Sequence, residues 1–496
     1  MAIESRPFPG FADKSDYARA RDLLAKAGFS SADLTKSLKL DDAGIKEDEL
    51  PLMMERTKGG TPVETMVRLF LGNVPVETAA AERALDPVAL ERWVHAGVLR
   101  VNGNETTSLV RLLPFQNLTV AFDLAARRRS DLPADYVMGI GSSSLTLAQF
   151  TVRRPVRTTL DLGTGCGVLG LMAAQHSDRV VAVDRNPRAV AITAFNAALN
   201  GFEAYESLEG DLFEPVQGRS FDLVVSNPPF VISPRSKFIY RDSGLEGDQI
   251  TEKIFREVAP LLAEGGYCQL ITNWALFSDR DNQERLTEWF AGSGCDAWVL
   301  CFETRDVATY ASTWIRHTEG SDPEQMTQNF ADWMAYYREK KIEGISGGII
   351  TLRKSSAHKN WVRFNDAPGG WKEACGEPIA RHFAAVDYLN AHTEPAQILA
   401  SKFRLAPEVG LDQYCAPSEG GWAIAESKLL FRKGLMYSGN TDPVLAGIVA
   451  RCDGQRPLVD ILQETATLLE WDVEKVASVA GPVILELIDQ GFLLPE

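Results

Sequence analysis

Closely spaced metal ligands are the first thing this sequence lacks. Its seven cysteines stand at 166, 268, 295, 301, 375, 415 and 452, with no CxxC pair among them. Zinc sites draw on thiolates and imidazoles at short, regular spacing, so no metal is expected here. An odd number of widely separated thiols suits reduced cysteines in a cytoplasm rather than a disulfide framework. Histidines number only six. His317 and His382 fall in expected helices as surface or packing residues, and no Ser/His/Asp motif occurs. The chain has no run of about 18 apolar residues, so no membrane-spanning helix is expected. Met1-Ala-Ile-Glu-Ser-Arg has no basic stretch leading into an apolar segment, so no secretory signal is expected either.

Basic charge is also scarce. Lys and Arg total 51 against 67 Asp and Glu, a net charge of −16, with most of the excess beyond residue 150. Non-specific nucleic-acid binding depends on neutralising phosphates with Lys and Arg, which this balance disfavours. The one basic cluster, Arg127-Arg128-Arg129 with Arg153, Arg154 and Arg157, reads as solvated surface.

The 496 residues allow about three domains. We place them at 1–130, 131–355 and 356–496. In the first, apolar spacing predicts helices over 17–27, 62–71, 79–84 and 87–96, then strands over 98–101 and 107–113 around Asn102-Gly103-Asn104. Helix, helix and hairpin in that order make a winged-helix-like pattern. The C-terminus repeats it, with helices over 457–469 and 474–489 and a short strand over 490–494. Such modules bind nucleic acid or serve in docking and packing, and the acidic charge favours the latter.

Between them, strands are expected at 159–162, 180–184, 221–226, 267–272, 297–302 and 348–352. Helices are expected at 168–175, 187–200, 248–262 and 283–291. This alternation predicts an α/β fold, a doubly wound, mostly parallel Rossmann-like sheet with helices on both faces. Residues 305–343 are too many for a plain loop and are expected to be a helical insertion, with its main helix over 322–341.

The first strand of this region, Thr159-Leu160-Asp161-Leu162, runs directly into Gly163-Thr164-Gly165-Cys166-Gly167. Glycines there permit a tight turn and let a ligand approach the backbone. The second strand ends at Asp184-Arg185, where a carboxylate can accept both hydroxyls of a ribose. Gly210-Asp211-Leu212 places a second carboxylate where it can face an adenine amino group, and the fourth strand delivers Asn227-Pro228-Pro229-Phe230. Gly165-x-Gly167-x-x-Gly170 also fits a nicotinamide dinucleotide fingerprint. A hydride-transfer site does not require Asn-Pro-Pro-Phe, so that alternative is set aside.

The runs LDLGTGCGVLGL (160–171), AVDRNPRAVAITAFNA (182–197), GDLFEP (210–215) and FDLVVSNPPF (221–230) resemble class I methyltransferases of the release-factor glutamine methyltransferase group and related RNA and DNA amino-group enzymes. The resemblance covers roughly 140–355. It implies S-adenosyl-L-methionine as cofactor, held by Asp161, Gly163, Thr164, Gly165, Gly167, Asp184, Arg185, Asp211, Leu212 and Asn227. It also implies a catalytic set of Asn227, Pro228, Pro229 and Phe230.

The chemistry agrees with that set. An amide or ring-bound amino nitrogen shares its lone pair with a π-system and is a poor nucleophile. The Asn227 side-chain carbonyl and the Pro228 backbone carbonyl can each accept one N–H, aiming the lone pair and stabilising the charge that develops on nitrogen. The prolines fix φ, and Phe230 offers a flat face to a planar group.

Three acceptors follow: a protein glutamine side chain first, an exocyclic amine of RNA second, and a small molecule third. Phe230, where the glutamine enzymes usually have Tyr, favours the second. The Ser-rich stretch Gly139–Thr146 either lines the pocket entrance or is an exposed loop leading into a helix. Trp274 and Phe277 either meet substrate or pack in the core.

Overall fold

Short apolar runs bounded by Gly, Asp and Asn fold as strands, and runs with apolar residues every three or four positions fold as helices. In the computed structural model, which describes residues 7–39, 49–125, 132–234, 244–318 and 322–496, eight strands join into one sheet. They are β1 (Val156–Leu162), β2 (Ser177–Asp184), β3 (Tyr205–Glu209), β4 (Phe221–Ser226), β5 (Leu262–Phe277), β6 (Cys295–Asp306), β7 (Ile342–Lys354) and β8 (Val362–Asp366). Their order is β8-β6-β7-β5-β4-β1-β2-β3. β1 pairs in parallel with β2 and β4, β2 with β3, and β4 with β5, whereas β7 runs antiparallel to β5 and β6. The expected α/β class with a mostly parallel sheet is therefore what the chain adopts.

The central strands are buried along most of their length. Val180–Val183 and Leu223–Ser226 are buried without alternation, as a strand covered on both faces requires. The covering helices include α1 (Ser142–Phe150), α2 (Val168–Ala173), α3 (Pro187–Leu199), α4 (Gln249–Val258) and α5 (Asn282–Phe290). Asn186 starts α3 by accepting the Arg188 N–H at 3.0 Å, with Pro187 at the first helical position. In α4, Ile250, Ile254 and Val258 repeat at helical spacing and are buried against the sheet core.

Strand order reverses between β1 and β4, because β2 and β3 extend the sheet on one side of β1 and β4 on the other. A crevice forms outside the carboxyl ends of strands at such a switch point. The long β6–β7 connection folds as α6 (Val307–Thr318) and α7 (Pro323–Lys340), within the stretch expected to be a helical insertion.

The chain divides into two compact units. One comprises residues up to 148 together with 154–365, and the other comprises 149–153 with 366–496. The first unit includes, before the sheet, helices Lys14–Lys26, Pro62–Met66, Thr78–Leu85 and Leu90–His95. The stretch 107–113, read as one strand, divides at Leu109: Glu105–Ser108 pairs with Leu99–Asn102, and Val110–Phe115 forms a separate hairpin with Leu118–Asp123.

The second unit has helices Gly376–Ala391, Pro443–Ala450, Leu458–Leu469 and Val473–Asp489 around a core that includes Phe403, Ile448, Ile461 and Ile488. Its hairpin, Val409–Ser418 with Gly421–Phe431, has no counterpart in the sequence reading. Among the described residues no helix is long and apolar enough to cross a membrane. Arg127–Arg129 lie outside the described residues, and Arg157 pairs with Asp222 at 3.3 Å.

Candidate functional site

The turn after β1 needs glycine for a definite reason. Gly163, Gly165 and Gly167 have φ of +70°, +57° and +84°, where an L side chain is strained. A Cβ at Gly163 or Gly165 would meet nothing within 4 Å, so both face open space, whereas one at Gly167 would meet Thr193. The turn is tied to the end of β2: the Gly163 and Thr164 N–H groups both donate to the Val183 carbonyl, at 2.8 and 3.1 Å.

Asp161 lies beneath the turn and does not line the cavity. Its Oδ2 accepts from Thr164 Oγ1 at 2.6 Å and from the Gly170 N–H at 2.9 Å. Its Oδ1 is buried without a hydrogen-bond partner. Burial pushes this carboxyl up to about 6, against the pull of those two donors. Asp184 stands above the turn. Its Oδ2 accepts the Gly165 N–H and its Oδ1 the Asn186 N–H, both at 2.9 Å, and burial raises it too.

Opposite Asp184, Asp211 follows β3 and is exposed. Leu212 has φ +46°, in the left-handed region that a bulky residue seldom occupies. Such strain persists only where the surroundings impose it, which is common at ligand sites.

The third component comes from β4. Ser226 sits opposite Leu162 in register and donates its hydroxyl to the Leu162 carbonyl at 2.7 Å, so Asn227 emerges beside Gly163. The Asn227 amide nitrogen donates to Ser143 Oγ at 3.0 Å and to Ser144 Oγ at 2.9 Å. Both amide hydrogens are thereby committed to α1, and the carbonyl oxygen faces the other way. Among the described residues no donor reaches it.

These parts enclose one cavity of about 600 Å³, within the range of small-molecule sites. Gly163, Thr164, Gly165, Asp184, Arg185, Asp211, Leu212, Asn227, Pro228 and Pro229 all line it. Gly167 is the residue before α2, and Phe230 lies against a neighbouring apolar cluster with Val231 and Ile232; neither lines the cavity. Of the Ser-rich stretch, Gly139 and Ser144 line it. Trp274 is buried in the sheet core, and Phe277 lies under the Arg280 and Arg285 guanidiniums.

Sequence reasoning missed two parts of the surroundings. Tyr136, Val137 and Met138 form a wall without any motif, and Ile250, Lys253 and Ile254 of α4 form another. The apolar periodicity of α4 shows in the sequence, but not which ligand-facing residue it carries. Beyond Phe230, the Ile232 peptide is held on both sides. Its N–H donates to Tyr310 Oη at 3.3 Å, and its carbonyl accepts from Tyr337 Oη at 2.8 Å.

The cavity suits a nucleoside carrying a compact cationic group. A carboxylate stands at the end of β2, the backbone is open at Gly163 and Gly165, and a carbonyl follows β4. Among family models, one described as the methyltransferase small domain matches residues 138–291. Two others, each described as a domain of unknown function, match 27–109 and 380–495.

The chain is 30% identical over 187 residues to a release factor glutamine methyltransferase of Salmonella typhimurium, a match spanning 31% of this chain and 66% of the relative. It is 40% identical over 169 residues to a protein of that name from Xylella fastidiosa, spanning 31% and 58%. It is 34% identical over 114 residues to a ribosomal RNA small subunit methyltransferase C of Alcanivorax borkumensis, spanning 23% and 31%. The chain thus spans less than two thirds of the length of each of these relatives.

Proposed function

We propose that this chain, which carries a class I methyltransferase small domain with S-adenosylmethionine as its cofactor, transfers a methyl group to a planar amide or amino nitrogen, foremost a glutamine side chain of a protein. The observation that carries this reading is the orientation of Asn227. With its amide hydrogens given to Ser143 and Ser144, the side chain presents an acceptor, and an acceptor is what a target NH₂ needs.

When bound, the cofactor supplies an electrophilic methyl on a positively charged sulfur. Asp184, which lines the cavity, would take the ribose hydroxyls, and the open backbone at Gly163 and Gly165 would admit the chain that bears the sulfur. Asp161 acts from below by fixing the turn through Thr164 and Gly170. Asp211 and Leu212, which line the cavity, would border the base. Asn227 Oδ1 and the Pro228 carbonyl accept one N–H each, which orients the lone pair along the line of displacement. They also stabilise the positive charge that grows on nitrogen as the new bond forms. The proton becomes acidic only after the nitrogen has gained the methyl, so water can remove it and no strong base is required. Phe230, which packs with Val231 and Ile232 and does not line the cavity, is given no contact with the planar group.

An exocyclic amine of RNA is the second reading, favoured by Phe230 and by the ribosomal RNA methyltransferase among the relatives. Incubating the full chain with tritiated-methyl S-adenosylmethionine and fractionated cell extract separates the two. Label in protein, with one added methyl on a glutamine by mass spectrometry, is the expected result. Label in RNA, with affinity falling steeply as salt rises, would replace it with the second. No label in any fraction would refute both.

A further inference from the structure

Residues 110–137 fall between the family models at 27–109 and 138–291, and neither describes them. They contain the hairpin Val110–Phe115 and Leu118–Asp123, whose second strand presents a backbone edge with no neighbouring strand among the described residues. Side chains of α3 occupy that edge. Asn200 accepts the Thr119 N–H at 2.9 Å and donates to the Thr119 carbonyl at 2.8 Å. Asn196 does the same for Ala121, at 2.7 and 2.9 Å. Arg188 Nε donates to Asp123 Oδ1 at 2.9 Å, with both side chains 1% exposed. Alternate residues of one strand are thus held by Arg188 and Asn196 of α3 and by Asn200 just past its end, and at Thr119 and Ala121 these asparagines take the backbone groups a further strand would otherwise pair.

Both ends of this connection reach the cavity. On one side, Asn196 Nδ2 also donates to the Cys166 carbonyl at 2.8 Å, and Thr193 Oγ1 to the Gly165 carbonyl at 3.0 Å, inside the glycine-rich turn. On the other side, Asp123 holds the Val137 peptide twice: its N–H donates to the Val137 carbonyl at 3.1 Å, and its Oδ2 accepts the Val137 N–H at 2.9 Å. Asn186 Nδ2 donates to the Asp135 carbonyl at 3.0 Å. The Phe122 ring fills the space beside Gly139 that a Cβ would need. Tyr136 to Gly139 are cavity wall, yet no residue of the hairpin lines the cavity.

We infer that the hairpin 110–123 is a working part of the cofactor site. Asp123 and Arg188 are positioning residues for its 136–139 wall, and cofactor binding and hairpin docking stabilise each other. Linkage makes such coupling reciprocal: a wall that orders on the cofactor tightens the hairpin, and a loosened hairpin weakens the cofactor. This inference rests on the reading that the cavity takes S-adenosylmethionine.

Hydrogen exchange of the full chain with and without S-adenosylmethionine tests it. The amides of 118–123 are expected to slow at least about tenfold on binding, although the ligand does not touch them. Protection confined to cavity-lining residues would overturn the inference. Wild-type protein that does not bind S-adenosylmethionine at all would instead remove the cofactor reading. In calorimetry, Asp123→Asn is expected to weaken cofactor binding about tenfold and Asn200→Ala about threefold. Asp123→Glu, which keeps the charge for Arg188, is expected to recover part of the loss. If Asp123→Asn does not fold, Asn200→Ala decides, since its edge contacts can be replaced by water. A folded Asn200→Ala protein with wild-type affinity would overturn the coupling.

Discussion

The cavity and the aromatic cluster beside it are built on different principles. The cofactor side is a backbone construction: three glycines at positive φ, tied to β2 and supported by the buried Asp161. The region beyond Phe230, outside the cavity lining, is a side-chain construction, where Tyr310 of α6 and Tyr337 of α7 hold Ile232 within an aromatic cluster. A backbone site tolerates little change because its hydrogen-bond groups cannot be substituted. A side-chain wall can change shape residue by residue while the sheet stays the same. On the function proposed above, the first would serve the common chemistry and the second would bear on acceptor choice; α6 and α7 lie beyond the 138–291 family match.

Variants on each side should separate these roles. The largest effect is expected on the cofactor side, where Asp184→Ala should raise the S-adenosylmethionine Kd about tenfold to a hundredfold, as measured by calorimetry. Unchanged affinity would remove Asp184 from the ribose site.

Asp161→Asn should sharpen the same side through pH. Burial holds the folded carboxyl at about 6, above the ordinary carboxylate value of 3.8, so the folded chain binds this proton more tightly than the unfolded chain. The ionisation penalty is therefore fully present above about pH 6 and is relieved as pH falls toward 3.8. At pH 8, Asp161→Asn should make the cofactor-free protein more stable, by up to about 3 kcal/mol. It should also flatten the urea midpoint between pH 4 and pH 6 and weaken the turn's hold on the cofactor. A destabilised variant with the same pH profile would show that the burial cost of Asp161 has been misjudged.

A smaller effect is expected from Ser143→Ala with Ser144→Ala. Freed of both hydroxyls, the Asn227 amide can rotate, and kcat should fall about tenfold with cofactor affinity unchanged. Replacement of both serines by threonine should restore most of the rate. The smallest effect is expected beyond Phe230, where Tyr310→Phe with Tyr337→Phe should raise the acceptor KM a few-fold and leave the cofactor Kd alone. A change in cofactor affinity there would erase the contrast between the two sides.

The contrast also explains what could be read from the sequence. The glycine-rich turn, Asp184, Asp211 and Asn227-Pro228-Pro229 stand at strand ends in a fixed order, and local residue type decides their geometry. Each lies where that order put it, at the mouth of one crevice. Asp161 shows the limit of such reading: its residue type suits a ligand contact, but its place at the penultimate position of β1 buries it under the turn. Phe230 is the same kind of case, one residue past the prolines and against another cluster.

The 136–139 wall and the serine pair depend on residues 14 to 84 positions away, through contacts such as Asp123 with Val137, Asn186 with Asp135 and Asn227 with Ser143. No local pattern encodes those contacts. The apolar centres of the long strands are legible but not their full lengths at either end, because β5 and β7 pair antiparallel over Tyr267–Phe277 and Ile342–Arg353. The hairpin 409–431 is not legible in the sequence because it is mostly exposed and lacks the alternation of a half-buried strand.

The central claim is that the Asn227 carbonyl, held outward by two serines, accepts the target NH₂. Its most direct test is single-turnover methyl transfer by Asn227→Ala, with S-adenosylmethionine binding measured on the same preparation. The account predicts a rate lowered at least about a hundredfold to a thousandfold, with cofactor bound nearly as tightly as by the unaltered chain. A rate within a few-fold of the unaltered chain, at equal cofactor occupancy, would contradict it.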